Sequence, residues 1–168
     1  MGYEEHKESA GAPSIRCAVI TVSDTRTPDT DRSGKIIQEK LVGEGHSIAY
    51  YDIAADVTAQ IETQIDKACE LAQVVIFSGG TGISKRDTTY EVISRTLEKT
   101  LPGFGEIFRM LSYDDIGSGA ILSRATAGVY SDTIIFSIPG STGAVTLAMD
   151  SLIVPELAHL VWEILRQK

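Results

Sequence analysis

Two apolar, β-branched runs in this chain are each followed at once by a glycine-rich break. Val74–Phe77 runs into Ser78-Gly79-Gly80-Thr81-Gly82, and residues 133–138 run into Pro139-Gly140-Ser141-Thr142-Gly143. Runs this short suit strands buried on both faces, so each break marks a strand end that turns sharply toward a helix. Glycine is concentrated accordingly: ten of the fifteen lie between Gly79 and Gly143, where loops must bend tightly.

The rest of the chain keeps the alternation. Ile15, Cys17, Val19, Ile20 and Val22 form a first strand, and helical spacing begins at Ser33 with Ile36, Ile37, Leu41 and Val42. Gly43 and Gly45 are placed to end that helix. Ile48 to Ile53 reads as a second strand. Asp56 and Thr58 offer N-cap oxygens to a helix carried by Ile61, Ile65, Ala68, Cys69 and Ala72. Thr88, with Glu91 three residues on, has the capping-box spacing of a further helix start, and another helix follows Pro102-Gly103. Residues 124–130 and 133–138 read as strands joined across Ser131-Asp132, and Pro155 should interrupt or kink the last helical segment. The expected fold is an α/β, three-layer α/β/α sandwich with a mainly parallel sheet and an antiparallel edge hairpin. A length of 168 residues fits one domain over 15–168, with residues 1–14 as a flexible tail.

Charge and counting remove whole classes of function. Fifteen basic against twenty-three acidic side chains leave a net charge of −8, which disfavours nucleic acid and anionic membranes as partners. No apolar run approaches the roughly 18 residues of a spanning helix, and the start lacks a signal-peptide pattern, so a cytoplasmic setting is expected. Cys17 and Cys69 are isolated, and His6, His46 and His159 are far apart in sequence, which argues against a zinc site or a disulfide scaffold.

Ligands of open α/β sheets sit beyond the carboxyl ends of the strands, where three unusual loops fall: Ser23 to Gly34, Ser78 to Asp87 and Pro139 to Gly143. The missing Cβ atoms of Gly79, Gly80 and Gly82 would let backbone N–H groups face a phosphate, with Lys85 and Arg86 nearby, although the same glycines could serve a tight turn alone. Neither a Walker A loop nor a G-x-G-x-x-G fingerprint is present. Asp56 and Asp87, at neighbouring strand ends, could be simple helix-start carboxylates or could together hold Mg²⁺. Ser23, Asp24, Asp31, Arg32, Ser33 and Gly34 supply polar groups, and Ser123 with Arg124 could add an anion contact. The stripe Phe104, Ile107, Phe108, Leu111 and Tyr113 fits either the core or a subunit contact.

Thr21-Val22-Ser23-Asp24, Asp31-Arg32-Ser33-Gly34, Ser78-Gly79-Gly80-Thr81-Gly82 with Arg86-Asp87 behind it, and Pro139-Gly140-Ser141 together resemble the molybdenum cofactor biosynthesis proteins of the MoaB and MogA type, over about residues 15–165. The resemblance implies a domain that binds molybdopterin, whose active members join the pterin's terminal phosphate to AMP, using MgATP. It assigns the acidic pair of that step to Asp56 and Asp87, and ligand contacts to residues 78–82, Ser123 and residues 139–141. It further implies a homotrimer or homohexamer that works beside other proteins of the pathway. Tyr90 departs from the family's usual proline, while Thr89 and Glu91 keep their places. A pterin-binding scaffold without turnover is the alternative function.

Overall fold

A computed structural model describes residues 2–166. Six strands form one sheet in the order β2-β1-β3-β6-β5-β4: β1 Arg16–Val22, β2 Ser47–Ala54, β3 Val74–Ser78, β4 Lys99–Thr100, β5 Thr126–Tyr130 and β6 Thr133–Ile138. β2, β1, β3 and β6 run parallel, and β5 and β4 close the far edge antiparallel. The fold is thus the expected α/β sandwich. The two-residue strand β4 is an addition, too short and polar to leave a sequence signal.

Strand residues alternate between two cores, as a pleat with period two requires. Cys17, Val19, Val74, Ile76, Ile134, Phe136 and Ile138 face helices α2 (Arg32–Gly43), α5 (Pro102–Ile116), α6 (Thr142–Ala148) and α7 (Val154–Leu165). Ala18, Ile20, Val22, Val75, Phe77 and Ile135 face α3 (Thr58–Leu71) and α4 (Thr89–Thr96). Burial pushes the Cys17 thiol up to about 12 and is the main cause of Cys69 lying at about 11, so both act as packing. Phe104 and Phe108 also join the core, Phe104 meeting Phe136 edge-on at 5.1 Å. Ile107 and Tyr113 of the same stripe stay exposed. The β5–β6 turn places Ser131 and Asp132 at φ +49° and +60°, the left-handed pair that a tight hairpin needs.

Three expectations meet the structure here. The segment expected to be a flexible tail contains helix α1, Tyr3–Ala10, held on α7 by polar contacts: Tyr3 donates to Glu156 at 2.5 Å and Lys7 to the same oxygen at 2.9 Å. No apolar periodicity announces such a helix, because α1 buries no side chain. Pro155 follows an interruption of the α-helix and not an end to the segment: a π turn over Met149–Ile153 separates α6 from α7, and the wider turn accommodates a ring that would clash with the carbonyl four residues back. The run Thr142–Leu165 is therefore long and apolar enough to cross a membrane, contrary to the count of apolar residues. Its Val145, Met149, Ile153, Leu157 and Val161 belong to the core.

Asp31 shows how the first loop is anchored. It is 4% exposed and accepts hydrogen bonds from Thr21 Oγ1 (2.6 Å), Tyr51 OH (2.7 Å) and the Gly34 amide (2.9 Å), capping α2 while tying it to β1 and β2. A Cβ on Gly34 would fall 2.1 Å from the carboxylate, so glycine is required there. Asp31→Ala should lower stability by about 3 kcal/mol, since three donors around a buried carboxylate lose their acceptor. Urea denaturation tests this, and a midpoint equal to that of the original chain would show that the three donors are satisfied without the carboxylate.

Candidate active site

Parallel register brings the ends of four strands level: Thr21 lies beside both Ile53 and Ser78, and Ser78 beside Ile138. The three loops that leave these ends interlock. The Gly79 amide donates to the Ile138 carbonyl (2.9 Å), Ser33 Oγ donates to the Gly140 carbonyl (2.7 Å), and a Cβ on Gly140 would approach Gly79 Cα to 3.3 Å. Gly79, at φ +111°, leaves no room for a Cβ, which would lie 2.4 Å from the Val22 carbonyl oxygen.

Both aspartates expected to do chemistry lean on the glycine loop. Asp56 is not the cap of α3: Val57 holds that position, with no side-chain bond. Its Oδ1 instead accepts from the Thr88 amide (3.1 Å), Thr88 Oγ1 (2.8 Å) and Thr89 Oγ1 (3.0 Å), and its Oδ2 lies beside Gly80. The capping box expected at Thr88 and Glu91 is absent for the same reason: Thr88 serves Asp56, and Glu91 pairs with Arg124. Asp87 lies against Gly82, and its Oδ2 accepts from the Ser84 amide (2.9 Å) and Ser84 Oγ (2.5 Å). The Ser84 hydroxyl is the main cause that holds the Asp87 carboxyl below its ordinary range, so it is ionised throughout neutral pH. Each carboxylate is anchored by a backbone amide and hydroxyls through one oxygen, Asp56 from Thr88 and Thr89 and Asp87 from Ser84, and each packs against a glycine of the loop.

Arg124 has a different place from the one expected. Instead of presenting a free anion contact, it donates to the carbonyls of Thr81 (3.2 Å) and Gly82 (2.5 Å), pairs with Glu91, and lies 4.6 Å from the Tyr90 ring centre. It fastens the loop's carbonyls outward. Tyr90, where the family pattern has proline, provides the face on which this guanidinium rests. Asp24 pairs with Arg86, while Ser23 Oγ accepts from the amides of Thr25 (3.2 Å) and Arg26 (3.1 Å), so these two shape the first loop.

A cleft of about 360 Å³ results, lined on one side by Gly80, Thr81, Gly82, Asp87, Ser123 and residues 139–141. Ser141 caps α6 by accepting from the Ala144 amide at 3.2 Å, and the amides of Thr142 and Gly143 ahead of it have no intrahelical acceptor. Ser23, Asp24, Ser33, Gly34, Asp56, Ser78, Gly79 and Arg124 do not line it; they support the loops that do. The opposite wall was not anticipated: Phe108, Ser112 and Ile116 of α5, with Ala120 and Leu122 of the 3₁₀ turn Gly117–Leu122, make it largely apolar. Such a cleft can seat a flat, partly apolar ring against α5 and direct an anionic end at the glycine loop.

Residues 18–159 match the family described as "Probable molybdopterin binding domain". The molybdenum cofactor biosynthesis protein B of Bacillus subtilis is 54% identical over 171 residues, spanning the full length of both chains. A crystal structure of molybdenum cofactor biosynthesis protein B superposes with a TM-score of 0.91 at 47% identity, covering 94% of this chain and 99% of that one. The tungsten cofactor synthesizing protein MoaB of Pyrococcus furiosus gives 0.82 at 35% identity, covering 90% and 97%.

Proposed function

The chain belongs to the molybdopterin-binding domain family of molybdenum cofactor biosynthesis proteins, and on that premise we propose that it binds molybdopterin in the cleft and transfers AMP to the pterin's terminal phosphate. One observation carries this reading: two carboxylates, Asp56 and Asp87, rest on one glycine loop, Asp56 against Gly80 and Asp87 against Gly82, and Asp87 lines the cleft itself. That donor set fits a hard divalent cation, which takes oxygen ligands and commonly one or two carboxylates together with phosphates. Bound there, Mg²⁺ would screen the charge of the polyphosphate, with Asp56 and Asp87 as its protein ligands.

The chain's own groups supply positioning. The apolar wall of Phe108, Ile116 and Leu122 seats the pterin, and the loop and helix amides orient its phosphate. A phosphate oxygen of the pterin then attacks the α-phosphorus of ATP, the bond to the β-phosphate breaks, and pyrophosphate leaves. No covalent nucleophile is needed for such a transfer. The test is incubation of the pure protein with molybdopterin and MgATP, watching for adenylylated pterin and pyrophosphate. Binding without turnover would replace the transfer by a pterin-carrying role.

The same reading includes assembly as a homotrimer or a pair of trimers. Its support is the outer face of α5 and the following turn, where Met110, Tyr113 and Ile121 are 58%, 62% and 84% exposed. So much contiguous apolar surface beside a cleft marks a subunit contact. Light scattering should give a multiple of the 18.1 kDa chain mass, and Ile121→Asp should shift it toward the monomer. A mass near 18 kDa for the unaltered protein at micromolar concentration would overturn the assembly.

A further inference from the structure

Two of the three histidines, 153 residues apart in sequence, meet where α1 packs on α7. His6 Nδ1 lies 2.7 Å from Glu163 Oε1, and His159 Nε2 lies 3.7 Å from the same oxygen; the three ligand atoms lie within 4.8 Å of one another. His159 Nδ1 faces Glu156 Oε2 at 3.0 Å, and Glu156 is itself held by Tyr3 and Lys7. With Nδ1–H donated to Glu156, His159 Nε2 is an acceptor, and it points at a carboxylate oxygen that is also an acceptor. In that tautomer two lone pairs face each other, an arrangement that a cation between them relieves. Arg166 occupies only the other oxygen of Glu163, at 2.7 Å.

We propose that His6, His159 and Glu163 form a binding site for a divalent transition-metal ion of the zinc, cobalt or nickel class, which clasps α1 to α7. The donors are two imidazole nitrogens and one carboxylate oxygen, the set that suits these ions, with a fourth position left for water. Ligands at about 2.1 Å around a tetrahedral ion stand about 3.4 Å apart, so side-chain shifts of the order of an ångström close the site. The carboxylate behind His159 fixes its tautomer, as carboxylates behind metal-bound histidines do. Binding replaces the hydrogen bond between His6 Nδ1 and Glu163, and the ring proton of His6 moves to Nε2 so that Nδ1 can face the metal. His6 and His159, scattered in sequence, are brought together by the packing of α1 on α7. The site owes nothing to the cleft or to pterin chemistry.

Titration of the full-length, tag-free protein with Co²⁺ and with Zn²⁺ tests the site by absorption and calorimetry. One Co²⁺ per chain should bind with the visible spectrum of a four- or five-coordinate ion, and excess Zn²⁺ should displace it and raise the melting temperature. His6→Ala and His159→Ala should each weaken binding at least about tenfold, and Glu156→Gln, which removes a positioning residue, by about tenfold. His46→Ala should leave it unchanged. His6 lies on a helix that buries no side chain, so its variant stays folded even if His159→Ala does not. Absence of a stoichiometric Co²⁺ spectrum, or equal affinity in His6→Ala, would overturn the site. So would identical melting temperatures in chelator and in Zn²⁺, which would mark the cluster as held by protons alone.

Discussion

Asp87→Asn should lower adenylyl transfer at least ~100-fold while leaving the fold and pterin binding in place, the scale on which one preorganised electrostatic group acts. The amide oxygen can keep both bonds from Ser84, whose amide and hydroxyl donate to a single carboxylate oxygen. The amide nitrogen then takes the second position, where it offers hydrogens in place of a lone pair and no charge. Polyphosphate thus loses its metal-holding partner without losing its cradle. Pyrophosphate release and calorimetric titration with molybdopterin separate the two effects. Wild-type turnover in this variant would remove Asp87 from the mechanism. Asp56→Asn should act in the same direction, since Oδ1 carries all three hydrogen bonds from Thr88 and Thr89 and an amide oxygen can accept them.

The parts of the molecule legible in sequence are those fixed by burial. β1, β3 and β6 are apolar because both of their faces are covered, and their glycine-rich ends follow from loops that cross one another within van der Waals contact. What escaped the sequence depends on partners brought in from far along the chain. Asp31 and Asp56 look like ordinary helix-start carboxylates until Tyr51 and Thr89 arrive at them. Arg124 looks free until Thr81 and Gly82 turn their carbonyls to it. Helix α1 is polar all round, and its attachment rests on Glu156 and Glu163, more than a hundred residues away. The apolar wall from α5 had a signal in the Phe104 to Tyr113 stripe, but helical spacing alone could not say that Phe108 faces inward while Ile107 faces out.

Gly80→Val should destabilise the protein by about 3 kcal/mol and abolish pterin binding, and the structure changes the reason. The space that glycine frees at this position is not reserved for a phosphate: a Cβ would fall 2.2 Å from Thr89 Oγ1 and 2.8 Å from Asp56 Oδ2. At φ +70° a β-branched residue adds backbone strain of about 1–2 kcal/mol, and forcing it into filled space adds a comparable amount. The loop must then lift away from Thr89, which breaks the support of Asp56 and displaces Gly80, Thr81 and Gly82 where they line the cleft. Gly80→Ala should show the same pattern more weakly, because it keeps the collision at Cβ and loses the branch. Thermal unfolding and molybdopterin titration on both variants read the two consequences together. Full stability with lost binding would mean that the side chain points at the ligand after all, whereas full stability with full binding would mean that the loop has room the close contacts at Gly80 deny.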